Sequence, residues 1–368
     1  MRDLNPKVIS VPLKEKSYNI YFQEGLINFI DKLLTPVNTG QRWIIVSPKS
    51  ISETYGSNIF TILKKTGFDV NILQIKEGEK VKSFFYYKKY INDLIKMGCN
   101  RDSVLISLGG GVTGDLCGFI ASTLFRGIAY YQIPTSLLGM VDASIGGKTA
   151  INTKQGKNLI GTFYHPNAVL IDPKLLISLP KKEFLAGLCE IIKYGFIDSK
   201  KIIKIFKNFN FIDLGSNNNQ INDLIIYSVE SKSNIISKDS EEKELRKILN
   251  FGHTVGHIIE SFTNYKKYTH GEAIAHGMII SLKISNKLFK LSKSLLEESI
   301  YVLKKLCLKK PPKIPKKDFF HYLYRDKKIE SRKINFILIK EIGKPIISKD
   351  ISAEAIYKTY HEYTEDNE

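Results

Sequence analysis

Between residues 41 and 172 the chain sets short apolar runs against helical patterns, and that order leaves few folds open. QRWIIVSP, FDVNILQI, DSVLISLGGG, AYYQIPT and AVLID read as buried strands bounded by Gly, Pro or Asp. ISETYGSNIFTILKKTG and SFFYYKKYINDLIKMGC, lying between strands, repeat their apolar residues at helical spacing. Such alternation predicts a largely parallel sheet with helices on both faces. After LISLP, which ends at Pro180, the strand signal nearly disappears. EFLAGLCEIIKYGFI, QINDLIIYSVESKSNIIS, ELRKILNFGHTVGHIIESF, GEAIAHGMIISLKISNKLF and SLLEESIYVLKKLCL are helical, and KINFILIKEIG is one late strand. A chain of 368 residues is long for one core. We therefore expect an α/β domain over residues 1–175 and an all-helical domain, that strand excepted, over 176–368. GSNNNQ, 215–220, reads as a loop.

Composition limits the partners. The net charge is +18, but the 7 arginines are few beside 48 lysines, whereas base reading leans on Arg. No nucleic-acid motif stands out, and the basic run Lys304–Lys333 reads as a solvated face. A basic surface can mean nucleic acid, an acidic membrane or an anionic substrate, and nucleic acid is not the partner expected. No apolar run reaches the roughly 18 residues that span a bilayer. MRDLNPKVIS has no apolar h-region, and Cys99, Cys117, Cys189 and Cys307 are scattered singly. A cytoplasmic location with no membrane contact is the expectation.

Four of the 7 histidines, His253, His257, His270 and His276, fall in one short window. At i and i+4, His253 and His257 emerge from one helix face, and Gly252 and Gly256 just before them leave a groove where something could approach the backbone. Thr254 stands where a metalloprotease H-E-x-x-H needs glutamate. Satisfied core histidines are the bland reading; a metal or proton-transfer site is the sharper one. LISLGGGVTGDLCGF is a strand, a glycine turn and a helix start, with Gly109, Gly111 and Gly114 at G-x-G-x-x-G spacing. It would aim backbone N–H groups at a pyrophosphate, although tight turns need glycine anyway. Two features depart from the dinucleotide fingerprint: the turn follows a late strand, and Asp115 comes directly after the last glycine. EGEKVKS, upstream, offers an acidic ribose partner. VDASIGGKTAINTKQGKNLIG, with Asp142, Lys148, Lys157 and Asn158, is either an oxyanion site or a polar loop. In GLCEIIKYG, Glu190 and Lys193 are at i and i+3 on an apolar helix, a buried pair or a surface one.

The order EGEKVKS, GGGVTGD, PTSLL, VDASIGGKTAIN, GKNLIG, GLCEIIKYG, RKILNFGHTVGHIIE and HGEAIAHGM resembles 3-dehydroquinate synthase over roughly residues 75–345. The resemblance implies an NAD-binding α/β domain, a helical metal-binding domain and an active site in the cleft between. Carried over by motif, Glu190, His253 and His270 would be ligands of Zn²⁺ or Co²⁺. NAD would be held by Glu77, Gly78, Glu79, Lys80, Val81 and Lys82, by Gly111, Val112, Thr113, Gly114 and Asp115, and by Thr135, Ser136, Lys148, Lys157, Leu175 and Ser178. Asp142, Lys148, Lys193, Lys232, Arg246, Asn250 and His257 would line the substrate, with Asn158 nearby and His257 handling protons. Arg246, seven residues before His253, would share its helix face. Arg126 would reach the phosphate from a partner subunit, implying a homodimer, and Lys327 or Lys328 would also reach it.

The implied reaction is cyclisation of 3-deoxy-D-arabino-heptulosonate 7-phosphate to 3-dehydroquinate with release of phosphate. NAD⁺ would oxidise C5 and later return the hydride, so no redox equivalent is consumed. Met140 and Ala143 replace the family's glutamine and serine, which touches packing and not chemistry. Other sugar-phosphate cyclases, and an NAD- and metal-dependent alcohol dehydrogenase, are the alternatives.

Overall fold

The computed structural model describes residues 3–14, 16–34, 40–209, 219–306, 309–325, 329–330 and 333–366. Cys307, Lys327, Lys328 and the 215–218 part of the expected loop lie outside them. The chain divides into two compact units, Met1–Leu179 and Pro180–Glu368.

Unit 1 carries β1 (Lys7–Val11), β2 (Tyr18–Phe22), β3 (Arg42–Pro48), β4 (Asp69–Ile75), β5 (Val104–Gly109), β6 (Ala129–Pro134), β7 (Lys148–Thr153), β8 (Gly156–Phe163) and β9 (Ala168–Ile171). Seven of these form one sheet in the order β1-β2-β9-β6-β5-β3-β4. Only β1 is antiparallel to its neighbour. Covered on both faces, a parallel strand needs an unbroken apolar run, and every residue of β5 is buried. Each fully buried Val, Leu or Ile there contributes roughly 1.5–3 kcal/mol.

The five expected strands correspond to β3, β4, β5, β6 and β9. The sheet also holds β1 and β2, five-residue strands that the sequence reading missed. VDASIGGKTAINTKQGKNLIG is not a simple loop. Its first three residues end the π-helical turn Gly139–Ala143, and further on β7 and β8 pair as an antiparallel hairpin.

Unit 2 is helical, but not entirely so. Phe336–Glu341 pairs antiparallel with Lys344–Ser348, and two-residue strands Ile329–Glu330 and Lys333–Ile334 precede it. The expected late strand thus breaks at Asn335 and gains a partner from KPIIS. ELRKILNFGHTVGHIIESF is also not one helix. Leu245–Asn250 is a 3₁₀ stretch, Gly252 turns left-handed at φ 81°, and the α-helix runs only from His253 to Phe262. Arg246 and His253 therefore do not share a continuous helix face, which corrects the expectation from spacing. Among the described residues no helix is long and apolar enough to cross a membrane.

Candidate functional site

Helix His270–Phe289 organises unit 2. Thr269 and Glu272 form a reciprocal capping box that fixes its start, so His270 is its first residue. Helix His253–Phe262 packs on it through a seam of glycines. A Cβ on Gly252 would lie 2.8 Å from the Ile274 carbonyl oxygen and 2.6 Å from Met278 Cγ. One on Gly256 would meet Ile274 Cδ1 at 2.5 Å, and one on Gly277 would run into the Gly252 carbonyl. The groove expected beside these glycines is filled by this neighbouring helix. Gly271 fits equally tightly against the backbone of Ala186, on helix Lys181–Ile197. These contacts bring the first residues of two helices to the middle of a third.

There Glu190 is fully buried. His270 Nε2 lies 3.2 Å and His253 Nε2 3.6 Å from its Oε1, while the Lys193 ammonium pairs with Oε2. Ligand atoms of Glu190, His253 and His270 all lie within 4.8 Å of one another. Each imidazole has its other nitrogen engaged: His253 Nδ1 faces the Phe251 carbonyl at 3.2 Å, and His270 Nδ1 faces Glu260 Oε2 at 3.2 Å. Burial alone would lower the His270 pKa, but Glu260 and then Glu190 outweigh it and hold it up at about 10. Two buried carboxylates around one ring thus favour a cation at this position, and the N, N, O donor set suits a divalent metal. His257, one turn on, has its ring 5.5 Å from His253 and 6.3 Å from His270, centroid to centroid. Lys232 and Arg246 are also buried in this unit, with an Arg246 Nη1 donating to the Ser240 carbonyl. Asn250 Nδ2 donates to Glu242 Oε1 at 2.9 Å.

His276 does not join the other three. Six residues after His270, it points about 120° away round the helix. There Nε2 donates to the Lys309 carbonyl at 3.1 Å and Nδ1 accepts from Tyr363 Oη at 2.9 Å. Burial pushes its pKa down to about 4, against a small opposing effect of the Lys309 carbonyl. Between that value and about 6.5 the unfolded chain takes up a proton that the native state refuses, so stability falls as pH drops through this window. The loss is expected to reach roughly 3 kcal/mol. Urea unfolding of the parent and of His276→Gln at pH 7.5 and 4.5 checks it; an equal acid loss in both would assign the effect to other groups.

In unit 1 the nucleotide candidates gather at the carboxyl ends of parallel strands. The chain order reverses between β3 and β5, and ligands of such sheets bind at that switch point. Glu77–Lys82 follows β4, Gly111–Asp115 follows β5, Thr135–Ser136 follows β6, and Leu175 and Ser178 follow β9. Gly78, at φ 82°, needs its glycine for the turn into Glu79–Val81. The glycines after β5 allow close packing as much as ligand approach: a Cβ on Gly114 would lie 2.8 Å from Gln132 Oε1.

Lys82 is only 3% exposed, and its ammonium sits 2.5 Å from both Asp115 Oδ2 and Asn158 Oδ1. Asn152 bonds to Glu79 Oε1 at 2.7 Å and accepts from the Asn158 N–H at 2.9 Å. One polar network therefore joins the turn after β4, the helix after β5 and the β7–β8 hairpin. Lys80, Lys148, Asn158 and Ser178 are exposed, Lys157 and Asp142 are half-buried, and Val81, Thr113, Thr135 and Leu175 are buried. Arg126 is exposed at a left-handed φ of 69°, directly after Phe125 at 50°. Glu260 was missed by the sequence reading, and so was Asn152; spacing carries one signal, since Glu260 is seven residues past His253 on one helix.

Comparisons with known proteins identify the family. The 3-dehydroquinate synthase N-terminal family model matches residues 72–186, and the C-terminal model of the same family matches 187–329. A 3-dehydroquinate synthase of Prochlorococcus marinus is 42% identical over 96% of this chain and 99% of its own length. That of Rippkaea orientalis is 41% identical over 95% of this chain and 96% of its own. Among solved structures, a 2-deoxy-scyllo-inosose synthase complexed with carbaglucose-6-phosphate, NAD⁺ and Co²⁺ superposes with a TM-score of 0.85 at 28% identity, covering 97% of this chain and 100% of that one. An iron-containing alcohol dehydrogenase, at 15% identity and a TM-score of 0.65 over 95% of this chain and 97% of its own, shares the fold alone.

Proposed function

The chain belongs to the 3-dehydroquinate synthase family, and from that premise we propose which of its residues carry the reaction. Its activity is conversion of 3-deoxy-D-arabino-heptulosonate 7-phosphate to 3-dehydroquinate and phosphate, a carbon–oxygen lyase reaction of the shikimate pathway and aromatic amino acid biosynthesis. The alternatives of another cyclase or an alcohol dehydrogenase are not favoured.

Glu190, His253 and His270 hold a divalent metal, zinc or cobalt, which when bound polarises a substrate hydroxyl and favours its alkoxide. NAD, held at the carboxyl ends of β4, β5, β6 and β9 by the residues named above, supplies reversible hydride transfer. The observation carrying this reading is the convergence of two imidazoles on one fully buried carboxylate. The NAD⁺ and Co²⁺ in the 28%-identical cyclase support it.

His257, beside both ligand histidines, moves protons and contacts substrate, and the Lys193 ammonium pairs with the Glu190 carboxylate. Lys148, Asn158, Asn250 and Asp142 position substrate oxygens. Lys232 and Arg246 read its carboxylate, a guanidinium being able to match that group in a bidentate way. Arg126 reaches the phosphate in the partner subunit of a homodimer. Cys99, Cys117 and Cys189 are buried thiols outside any disulfide, which suits a reducing cytoplasm.

One assay tests the reading. With heptulosonate phosphate, Zn²⁺ or Co²⁺ and trace NAD⁺, phosphate and dehydroquinate should form in large excess over NADH. NADH stoichiometric with an oxidised product would overturn it. Run on sedoheptulose 7-phosphate, which lacks the carboxylate, the parent should lose most activity. Arg246→Lys should lose about 10- to 100-fold in affinity for the heptulosonate only. Equal use of both sugars by the parent would remove the carboxylate role from Arg246 and Lys232.

A further inference from the structure

We propose that Glu260 is a positioning residue for the metal centre: its carboxylate takes the Nδ1 proton of His270 in a hydrogen bond and so presents Nε2, as an electron-rich donor, to the ion. The inference rests on the metal reading above and deepens it by one residue. The His270 ring stands between two carboxylates, with Nε2 3.2 Å from Glu190 Oε1 and Nδ1 3.2 Å from Glu260 Oε2. Glu260 is 6% exposed, a cost that a buried carboxylate meets only with a strong partner.

The helix explains how one segment supplies both parts. His253 is its first residue and Glu260 lies seven later, two turns on and on the same face. It therefore contributes a ligand at one end and the support of the second imidazole further along. The two imidazoles are backed unequally. His253 Nδ1 faces a neutral carbonyl, that of Phe251, whereas His270 Nδ1 faces a full negative charge. A carboxylate drawing on the far N–H makes the near nitrogen more basic and fixes the tautomer.

Glu260 could instead be a ligand, because His257, Glu260 and His270 also have donor atoms within 4.8 Å of one another. The geometry favours positioning. Glu190 approaches Nε2 of the His270 ring and Glu260 approaches Nδ1, on opposite sides of it, so one ion bound through the nearer nitrogen of each can occupy only one side. The Glu190 side holds the more deeply buried carboxylate and a second imidazole already aimed inward through Nε2.

The test is metal titration of the full chain, freed of metal, with Co²⁺ followed by its visible spectrum and Zn²⁺ by competition with a chromophoric chelator. Glu260→Gln is expected to bind one ion, as the parent does, about 10- to 100-fold more weakly and with a shifted Co²⁺ spectrum. Glu260→Asp, which restores the charge on a shorter stem, should recover part of both. A parent-like far-UV circular dichroism spectrum and a cooperative urea transition report that each variant is folded. Should Glu260→Gln fail that control, the Asp variant decides by the same two readouts. Parent-like affinity and spectrum in the variants would overturn the proposal. So would two ions on the parent and one on Glu260→Gln, since Glu260 would then be a ligand. Glu190→Gln, run alongside, separates the two readings: metal binding indifferent to that change would overturn the metal centre itself.

Discussion

His253→Ala is expected to leave the purified protein without bound metal and to lower turnover on the order of 10³-fold or more. Removing one of three ligands forfeits several kcal/mol of charge stabilisation, and each 1.36 kcal/mol is tenfold in rate. His257→Ala, one turn along, gives the contrast. It should retain one ion per chain and still lose roughly 10²- to 10⁴-fold in turnover, the range of a missing acid–base group. Both rings lie near His270, at centroid distances of 5.4 and 6.3 Å, so proximity alone does not separate their roles. His253 presents Nε2 to Glu190 Oε1 at 3.6 Å, whereas His257 groups with Glu260 and His270. Metal content by elemental analysis, read beside kcat, checks the pair; equal metal in the two variants would show that their roles are misassigned.

Lys193→Met should destabilise the metal-free protein by about 3–5 kcal/mol, because it strips a buried carboxylate of its cation. Glu190 is fully buried and Lys193 nearly so, which leaves water little part in screening the pair. Added Zn²⁺ should restore part of the loss, since an ion bound only by the native state stabilises it by mass action. Urea unfolding of parent and variant, with and without metal, measures both effects. A variant within 1 kcal/mol of the parent would mean that Glu190 does not depend on this lysine.

What could be read from the sequence followed the strength of local signals. β3, β5 and β9 were visible because parallel strands covered on both faces are continuous apolar runs. β1 has only two buried residues in five, a pattern too short to tell from a loop. The β7–β8 hairpin was hidden because much of β8 is exposed and its composition is that of a polar turn. The break at Phe251–Gly252 escaped notice because the apolar spacing of ILNFGHTVGHII runs straight through it; only the left-handed glycine ends the 3₁₀ stretch. His276 was drawn into the histidine cluster by closeness in sequence, where the helical angle to His270 already sets it apart. Glu260 showed the reverse fault: an acid near a helix end looks solvated, and its partner His270 lies beyond an intervening turn.

The seam of Gly252, Gly256, Gly271 and Gly277 bears on how freely this chain can drift. None of these positions contributes a side-chain donor, acceptor or charge, yet each is where a single methyl would push two backbones apart. At Gly252 the φ of 81° adds a second obstacle to any side chain. Interiors do not absorb such a change by yielding smoothly, so the displacement would pass to the first residues of the two helices, His253 and His270. The centre's mutational tolerance is thus lowest where there is least chemistry. A library spanning residues 250–280 should find alanine at these glycines about as damaging as loss of a ligand, with every ligand still present.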